Sequence, residues 1–212
     1  MKKLALIAQK GGTGKTTLAV CLAVAAELAK KRVLIIDFDP QASACKWADR
    51  RQGEGIVAID AQPARLANAL KKAQESGIDL TIIDTPGKSE QSALAAAEHA
   101  DLIIVATRPQ IYDLETIPDT KRIIDMAGGK PAIIVFTQVP PPSHEGVSGR
   151  YQDAAKAVEN YGIPVCADYV CARVDFGDAA NHGQSPIEYH PDSRAAVEIK
   201  QLYKSISRLL GK

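Results

Sequence analysis

The stretch AQKGGTGKTT, residues 8–17, constrains the fold of this 212-residue chain more than any other feature. It follows an apolar run at residues 4–7 and precedes a helical pattern at residues 18–30. A glycine-rich loop between a strand and a helix directs backbone N–H groups inward, and its glycines let phosphate oxygens approach without meeting a Cβ atom. The lysine can reach β- and γ-phosphates, and the next hydroxyl can hold Mg²⁺. The stretch therefore predicts a phosphate-binding loop, with Lys15 and Thr16 in these two roles.

The loop departs at two positions from the usual pattern, G-x-x-x-x-G-K-[ST]. Gln9 stands where the first glycine is expected, and an extra lysine, Lys10, precedes the glycine pair. The alternative interpretation is a turn rich in glycine and lysine that binds nothing. The apolar run before the loop and the helical pattern after it favour phosphate binding.

Composition and cysteine spacing restrict the other classes of function. Charged residues make up 24% of the chain and nearly balance at +1, so nucleic-acid or membrane binding would need a local patch. The four cysteines form no C-x-x-C pair, and Cys166 and Cys171 would face opposite sides of one strand, so we expect no iron–sulfur cluster. Because no signal peptide and no apolar run of membrane length is recognised, we expect a cytoplasmic protein without a membrane anchor.

Apolar runs alternate with helical patterns along nearly the whole chain. The predicted strands are residues 3–8, 32–37, 56–60, 80–84, 102–107, 132–137 and 164–171. The predicted helices are residues 15–30, 42–51, 63–76, 89–99, 114–127, 151–161 and about 192–210, and residues 139–149 form the one loop-like break. Strands that are continuously apolar are covered on both faces. The pattern predicts an α/β fold, a single domain over residues 1–212 with a doubly wound, mostly parallel sheet and helices on both faces.

Acidic residues end two of the predicted strands. Asp37 and Asp39 follow the second strand, and Asp84 ends the fourth, where it precedes Thr85, Pro86 and Gly87. An acid at the end of a buried strand is costly unless it is paired or near a metal. Each aspartate taken alone could be a helix cap. Because the carboxyl ends of parallel strands share one rim with the phosphate loop, the three together favour a Mg²⁺–nucleotide site.

Three motifs carry a resemblance to a known family. Residues 10–17, residues 37–41 and residues 84–86 are similar to the ParA/MinD family of ATPases with a deviant Walker A loop. The Asp-x-Asp-Pro-Gln form of residues 37–41 resembles the ParA branch, which partitions plasmids and chromosomes. Residues 172–186 resemble the ParA segment beside the base. Because the sheet begins near residue 3, the chain looks like the small ParA class that lacks an N-terminal helix-turn-helix.

The resemblance implies roles in catalysis at the matching positions. Lys10 would be the signature lysine, which reaches across a two-fold interface to the nucleotide of the partner subunit. Lys15 would neutralise charge as the γ-phosphoryl group leaves, and Asp39 would orient the attacking water. ATP would then be a dimerisation ligand, and the protein would be an ATP-dependent homodimer.

The resemblance also implies the residues that bind the cofactors, ATP and Mg²⁺. Thr16, Asp37 and Asp84 would hold the metal, partly through water. Thr137 and Arg173 are placed near the nucleotide by their position on the same rim. The implied nucleotide-binding residues are Gly11, Gly12, Thr13, Gly14, Lys15, Thr16, Thr17, Asp37, Asp84, Pro86, Gly87, Thr137 and Arg173.

The last helical pattern suggests binding to DNA without sequence preference. Lys200, Lys204 and Arg208 recur every four residues opposite an apolar face. Such a stripe can contact phosphates, and Arg173 is a further candidate. The alternative is an ordinary solvated helix face. The resemblance adds a centromere-binding, ParB-like adaptor as partner and association with the nucleoid in the ATP state.

Two other functions compete with partition of plasmid or other cargo. A MinD-like positioning ATPase would need a C-terminal amphipathic helix that is free to bind lipid. An ATP-dependent small-molecule ligase with a phosphate loop would share the nucleotide site, but Lys10 and residues 37–41 argue against it.

Overall fold

The computed structural model describes residues 1–51, 53, 55–142 and 149–211. Six parallel strands form one sheet in the order β3-β2-β4-β1-β5-β6. The strands are β1 (Lys2–Ile7), β2 (Val33–Asp37), β3 (Ile56–Asp60), β4 (Leu80–Asp84), β5 (Leu102–Thr107) and β6 (Ala132–Phe136). β2, β4 and β5 are buried along their whole length, as the continuous apolar runs predict.

Helices cover both faces of the sheet, and each layer has its own apolar cluster. The first layer contains α1 (Lys15–Leu28), α2 (Ser43–Arg50), α8 (Asp175–Asn181), α9 (Pro186–Tyr189) and α10 (Arg194–Leu210). The second contains α3 (Leu66–Glu75), α4 (Glu90–His99), α5 (Ile111–Leu114), α6 (Ile117–Met126) and α7 (Gly149–Val158). The doubly wound parallel fold is confirmed. The expectation of one domain over the whole chain stays a prediction.

The predicted seventh strand, residues 164–171, is wrong as a continuous strand. The segment pairs with β6 and the residues that follow it through two isolated parallel bridges, Ile134 with Val165 and Val139 with Cys171. The N–H of Cys166 donates to Ile134 O and that of Val170 donates to Phe136 O, at 2.8 and 2.9 Å. Between these points the segment advances by four residues while β6 advances by two. The surplus residues leave the ladder, as in a bulge.

Two helix predictions also differ from the structure. The helix predicted at residues 114–127 begins later, at Ile117, with Pro118 in its first turn, where proline is tolerated; a separate short helix, α5, ends at Leu114. The helices α8 and α9 were not predicted, and each has at most seven residues, too few for a clear period. Residues 143–148 of the predicted break at 139–149 lie outside the described residues.

Candidate nucleotide-binding site

The phosphate loop connects β1 to α1 and has the backbone form that anion binding requires. Gly12 and Gly14 have φ angles of 74° and 79°, a left-handed conformation that favours glycine. Gly14 also precedes α1 and supplies no capping side chain, so the first N–H groups of the helix stay available. Two neighbours hold the loop: Thr137 Oγ1 donates to Thr13 O at 2.7 Å, and Gln138 Nε2 donates to Gly12 O at 2.8 Å.

Lys15 lies folded over this loop. Its side chain is buried, and Nζ donates to Lys10 O at 3.3 Å. Burial lowers the pKa of the ammonium group, and the charges of Asp84 and Asp39 act in the opposite direction. A cation that is removed from water in this way gains strongly from an incoming anion, as a phosphate-binding lysine requires.

Asp84 and Thr16 meet beside the phosphate loop, where their oxygen atoms have the chemistry that a metal ion needs. Thr16 Oγ1 donates to Asp84 Oδ2 at 2.6 Å, while Asp84 Oδ1 is buried and has no hydrogen-bond partner among the described residues. Burial, together with the charges of Asp37 and Asp39, raises the pKa of Asp84 to about 7, although the Thr16 bond and Lys15 oppose this. An unpartnered carboxylate oxygen beside a hydroxyl fits the oxygen donors that Mg²⁺ prefers.

The Asp37 carboxylate contacts backbone N–H groups near the end of β2, and its role as a metal ligand stays a prediction. Its Oδ1 accepts from the N–H of Asp39 and its Oδ2 from that of Ala44, both at 2.9 Å, so the carboxylate binds the loop after β2 to the start of α2. Thr16 is bonded to Asp84 and not to Asp37. Burial raises the pKa of Asp37, and the backbone N–H groups moderate the effect. Asp39, half-buried, accepts from the N–H of Gln41 at 2.9 Å and lies at the mouth of the site.

The turn after β4 packs directly against the phosphate loop. A Cβ atom added to Gly87 would lie 2.7 Å from Gly11 N and 2.9 Å from the carbonyl carbon of Lys10. Thr85 Oγ1 donates to Leu6 O at 2.8 Å and joins this turn to β1, and Pro86 is half-buried beside it. Glycine at position 87 is therefore required by the close approach of two backbones.

Lys10 points away from the phosphate loop and contacts α5. Its Nζ lies 3.2 Å from Asp113 Oδ1, donates to Tyr112 O at 3.1 Å and lies 5.3 Å from the centre of the Tyr112 ring. Asp113 is buried and also paired with Arg108. Burial alone would raise the pKa of Asp113, but the bonds from Arg108 and Lys10 outweigh it and lower the pKa. Sequence reasoning missed Asp113 and Arg108 because no motif marks them.

A cavity of about 440 Å³ opens beside the loop, on the rim where the base was expected. Thr137 and Arg173 both line it, with Gly14 and Thr17 of the nucleotide loop. The Thr137 hydroxyl is engaged with Thr13 O and Thr107 O, which makes it a brace for the loop. The Arg173 guanidinium contacts Glu198 of α10, with Nη2 2.6 Å from Oε1, and is only partly exposed. Arg173 therefore faces the cavity with its charge already paired.

The remaining predicted residues lie on the outer side of α10. Lys200, Lys204 and Arg208 are exposed, and Lys200 Nζ donates to Pro191 O at 3.1 Å. The opposite face of the helix is buried. Within the described ranges no group of three or more His, Cys, Asp or Glu residues has the arrangement of a metal cluster. In the same residues, no helix combines the length and the apolar character needed to cross a membrane.

Together, the glycine loop at the start of α1, the folded lysine and the acid-terminated parallel strands define a phosphate-loop nucleotide-binding protein. Residues 4–187 match the model of the CobQ/CobB/MinD/ParA nucleotide binding domain, and the chain belongs to that family. The resemblance to ParA/MinD proteins is thereby confirmed.

Three similar proteins illustrate the range of the family. The chain is 32% identical to Maintenance of carboxysome distribution protein A of Gloeobacter kilaueensis, over 99% of this chain and 94% of that protein. It is 25% identical to Chromosome-partitioning ATPase Soj of Thermus thermophilus, over 97% and 95% of the two chains. The structure of the septum site-determining protein MinD of Pyrococcus horikoshii, complexed with Mg-ADP, superposes with a TM-score of 0.76 at 19% identity, covering 99% and 97%.

Proposed function

We propose that this chain is a magnesium-dependent ATPase that forms a homodimer on ATP and positions a large cargo in the cell. One observation carries the proposal: Lys15, Thr16 and the unpartnered Oδ1 of Asp84 meet at the amino end of α1. A triphosphate and its metal need such a combination of cation, hydroxyl and carboxylate. The Mg-ADP bound by the similar MinD protein supports the same cofactor class here.

Each residue of the site has a chemical task when ATP is bound. Phosphoryl transfer depends mainly on positioning and charge neutralisation. The N–H groups of residues 11–17 would hold phosphate oxygens, and Lys15 would neutralise the charge of the departing γ-phosphoryl group. Asp39, on the loop that Asp37 holds in place, would accept a hydrogen bond from the attacking water. Magnesium, held by Thr16 and Asp84, would supply charge neutralisation at the phosphates.

Dimerisation would depend on Lys10. ATP shifts the balance from monomer to dimer only if it binds the dimer more tightly, and a lysine donated to the partner's nucleotide supplies that difference. The Lys10 side chain is 32% exposed, and Tyr112, whose carbonyl oxygen it contacts, is an exposed residue of α5. The Lys10 side chain therefore has a path outward without any change in the core.

The dimer would bind DNA non-specifically and respond to an adaptor protein. Exposed Lys200, Lys204 and Arg208 on α10 support DNA contact, which would associate the ATP state with the nucleoid. The charge of Arg173 is paired with Glu198, so it is the weaker DNA candidate. A ParB-like adaptor would stimulate turnover and connect the switch to the cargo.

The relatives suggest two classes of cargo. The Gloeobacter protein is named for carboxysome distribution and the Thermus protein for chromosome partitioning, and both align along nearly all of this chain. The higher identity of the first favours a carboxysome-like body over a chromosome. A fluorescent fusion imaged with labelled DNA and labelled protein bodies distinguishes these cargoes.

Turnover and assembly measured together test the proposed function. We expect ATP hydrolysis that is stimulated by duplex DNA, and a dimer by light scattering in ATP but not in ADP. Lys10→Ala should still bind ATP but lose both the dimer and the turnover, whereas Lys46→Ala, an exposed lysine on α2, should keep them. A Lys10→Ala protein with unchanged dimerisation and turnover would refute the trans-acting lysine.

The rival functions have distinct signatures in the same assays. A rate of ATP turnover that is unchanged by DNA but depends on a small acid or amine would indicate the ligase. Sedimentation with lipid vesicles in ATP would indicate the MinD-like function. The apolar face of α10, which includes Ile199, Leu202 and Ile206, argues against the MinD-like function. This face is buried against α1, so it is not available to bind lipid.

A further inference from the structure

A groove at the edge of the sheet lies apart from the nucleotide site. It runs between β3 and α3 and has a volume of about 730 Å³. Its floor is apolar and includes Val57, which is 49% exposed, with Ile59 and Ala69 beside it. Half-exposed valine at a sheet edge is a feature that proteins usually cover.

The outer backbone of β3 is open along this groove. Within the described residues, β3 is the last strand on its side of the sheet and has β2 as its only ladder partner. Gly55 O accepts from the N–H of Val33, and the N–H of Ala61 donates to Asp37 O. Since neighbouring residues of a strand alternate in direction, the amide groups of Ile56, Ala58 and Asp60 point away from β2. They offer donors and acceptors to one further strand.

Basic side chains border the groove. Arg65 immediately precedes α3, and Lys72 lies within α3 about two helical turns further on. Arg32 immediately precedes β2. Among the described residues, none of these three side chains has a carboxylate within 4.0 Å, and Asp60 is the one acid in the lining. The border therefore attracts negative charge.

We propose that this groove binds an extended, acidic and partly apolar segment of a partner protein, which adds as a strand to β3. The open amide groups would hold its backbone, Val57 and Ile59 would contact its apolar side chains, and the three cations would pair with its carboxylates. A second copy of this chain is disfavoured, because two such edges would bring six unpaired cations together. A nucleic acid is disfavoured because it cannot pair with a strand edge or use the apolar floor.

The position of the groove ties it to the nucleotide site. Asp60 is the register partner of Asp37, and Ala61 N–H donates to Asp37 O at 3.0 Å. A segment bound to β3 would therefore end one strand away from the loop that carries Asp39. Such a segment suits an adaptor, but its binding does not depend on the proposed ATPase function.

A peptide binding assay with the full chain tests the proposal. The probe is a fluorescent peptide that repeats threonine, valine, threonine, glutamate, so that valine and glutamate share the face toward the groove. The control peptide has lysine for glutamate. By fluorescence anisotropy we expect the acidic peptide to bind at least about tenfold more tightly than the basic one. Equal binding, or no saturable binding of either peptide, would overturn the proposal.

Two further comparisons locate the binding and define its form. Arg65→Glu with Lys72→Glu should weaken the acidic peptide by about tenfold, whereas Lys46→Glu with Lys71→Glu, an equal charge change outside the lining, should leave it within about twofold. N-methylation of one alternate set of peptide residues should abolish binding, and methylation of the other set should not. Equal effects of the two methylations would refute strand addition. If single-stranded DNA displaces the peptide from the wild type but does not bind the Arg65→Glu, Lys72→Glu variant, the groove is a nucleic-acid site instead.

Discussion

At the scale of single residues, the nucleotide site holds charges where water is largely excluded. Asp84 and Lys15 are both buried. Burial raises the pKa of Asp84 and lowers the pKa of Lys15, which favours the neutral form of each side chain. A fold selected for stability alone would not keep a carboxylate oxygen buried without a partner. Such a group is explained by a ligand that supplies the missing contact.

The pH dependence of stability should reveal Asp84. Burial raises its pKa to about 7, so between its ordinary pKa and about 7 the folded chain holds a proton that the unfolded chain releases. The free energy of unfolding therefore falls as the pH rises through this window. In Asp84→Asn the decrease in the free energy of unfolding should be smaller than in the wild type, by on the order of 1 kcal/mol for each pH unit of this window.

Urea denaturation at about pH 5 and about pH 8 measures this difference, with nucleotide absent and a chelator present. Asp119→Asn, at an exposed position of α6, is the matched control and should keep the wild-type slope. Equal slopes in Asp84→Asn and wild type would contradict the assigned pKa.

Removal of Asp113 should make the ATP-dependent dimer form more readily. Lys10 must leave Asp113 and Tyr112 before it can reach a partner, and an ion pair of this kind opposes release by ~1 kcal/mol. Asp113→Asn should lower the ATP concentration at half-dimerisation by about threefold to tenfold. Light scattering across an ATP titration measures it, with thermal unfolding to verify the fold. Asp125→Asn, which frees Lys121 instead, should behave as wild type, and an unchanged Asp113→Asn would exclude restraint of Lys10.

At the scale of elements, three loops depend on each other. The turn after β4 touches the phosphate loop at Gly87, and the loop after β6 braces it through Thr137 and Gln138. Asp37 joins the loop after β2 to α2. Because these contacts involve backbone atoms, a small change in one loop displaces its neighbour.

Gly87→Ala tests this dependence. Its Cβ atom would lie 2.7 Å from Gly11 N, and backbone cannot yield as a flexible side chain can, so the phosphate loop must shift. We expect at least about tenfold weaker binding of a fluorescent ATP analogue. Gly177→Ala in α8, where an added Cβ meets nothing within 4 Å, should bind as wild type. Equal affinities of both variants would show that the two loops are independent.

At the scale of the whole molecule, the packing of α10 places its apolar side chains in the core and its basic side chains on the surface. Its apolar side is buried with α1, and its basic side faces outward, away from the sheet. In the proposed dimer, this outward cationic stripe would occur twice and would offer a larger surface to DNA phosphates. Binding of this kind is sensitive to salt and insensitive to sequence.

Reversal of this stripe should abolish DNA retention. Lys200→Glu, Lys204→Glu and Arg208→Glu together should remove ATP-dependent binding to arbitrary duplex DNA, while wild-type affinity should fall steeply as salt rises. Lys46→Glu, Lys71→Glu and Lys156→Glu change the net charge equally on other surfaces and should keep most of the binding. Filter binding in ATP measures both triple variants. Full retention by the α10 variant would exclude this helix as the DNA face.

The local patterns in the sequence were sufficient for the sheet and for the phosphate loop. Apolar runs predicted all six strands, and most clearly β2, β4 and β5, because strands that are buried on both faces carry mainly apolar side chains. The pattern was insufficient for residues 164–171, since an apolar run does not reveal that it has two residues too many to pair with β6. It was likewise insufficient for the short helices α8 and α9.

The sequence by itself determined the class of this protein, because the glycine loop and the acids at the strand ends are each recognised from the residues next to them in the chain. Only the tertiary structure decided the partners. Thr16 bonds to Asp84, 68 residues away, and Lys10 bonds to Tyr112 O, 102 residues away. Such pairs depend on the order of strands in the sheet, which brings β4 and β5 to either side of β1. The spacing of residues along the sequence does not reveal that order. The contacts of Lys10 with α5 and the open edge of β3 could therefore be identified only from the tertiary structure.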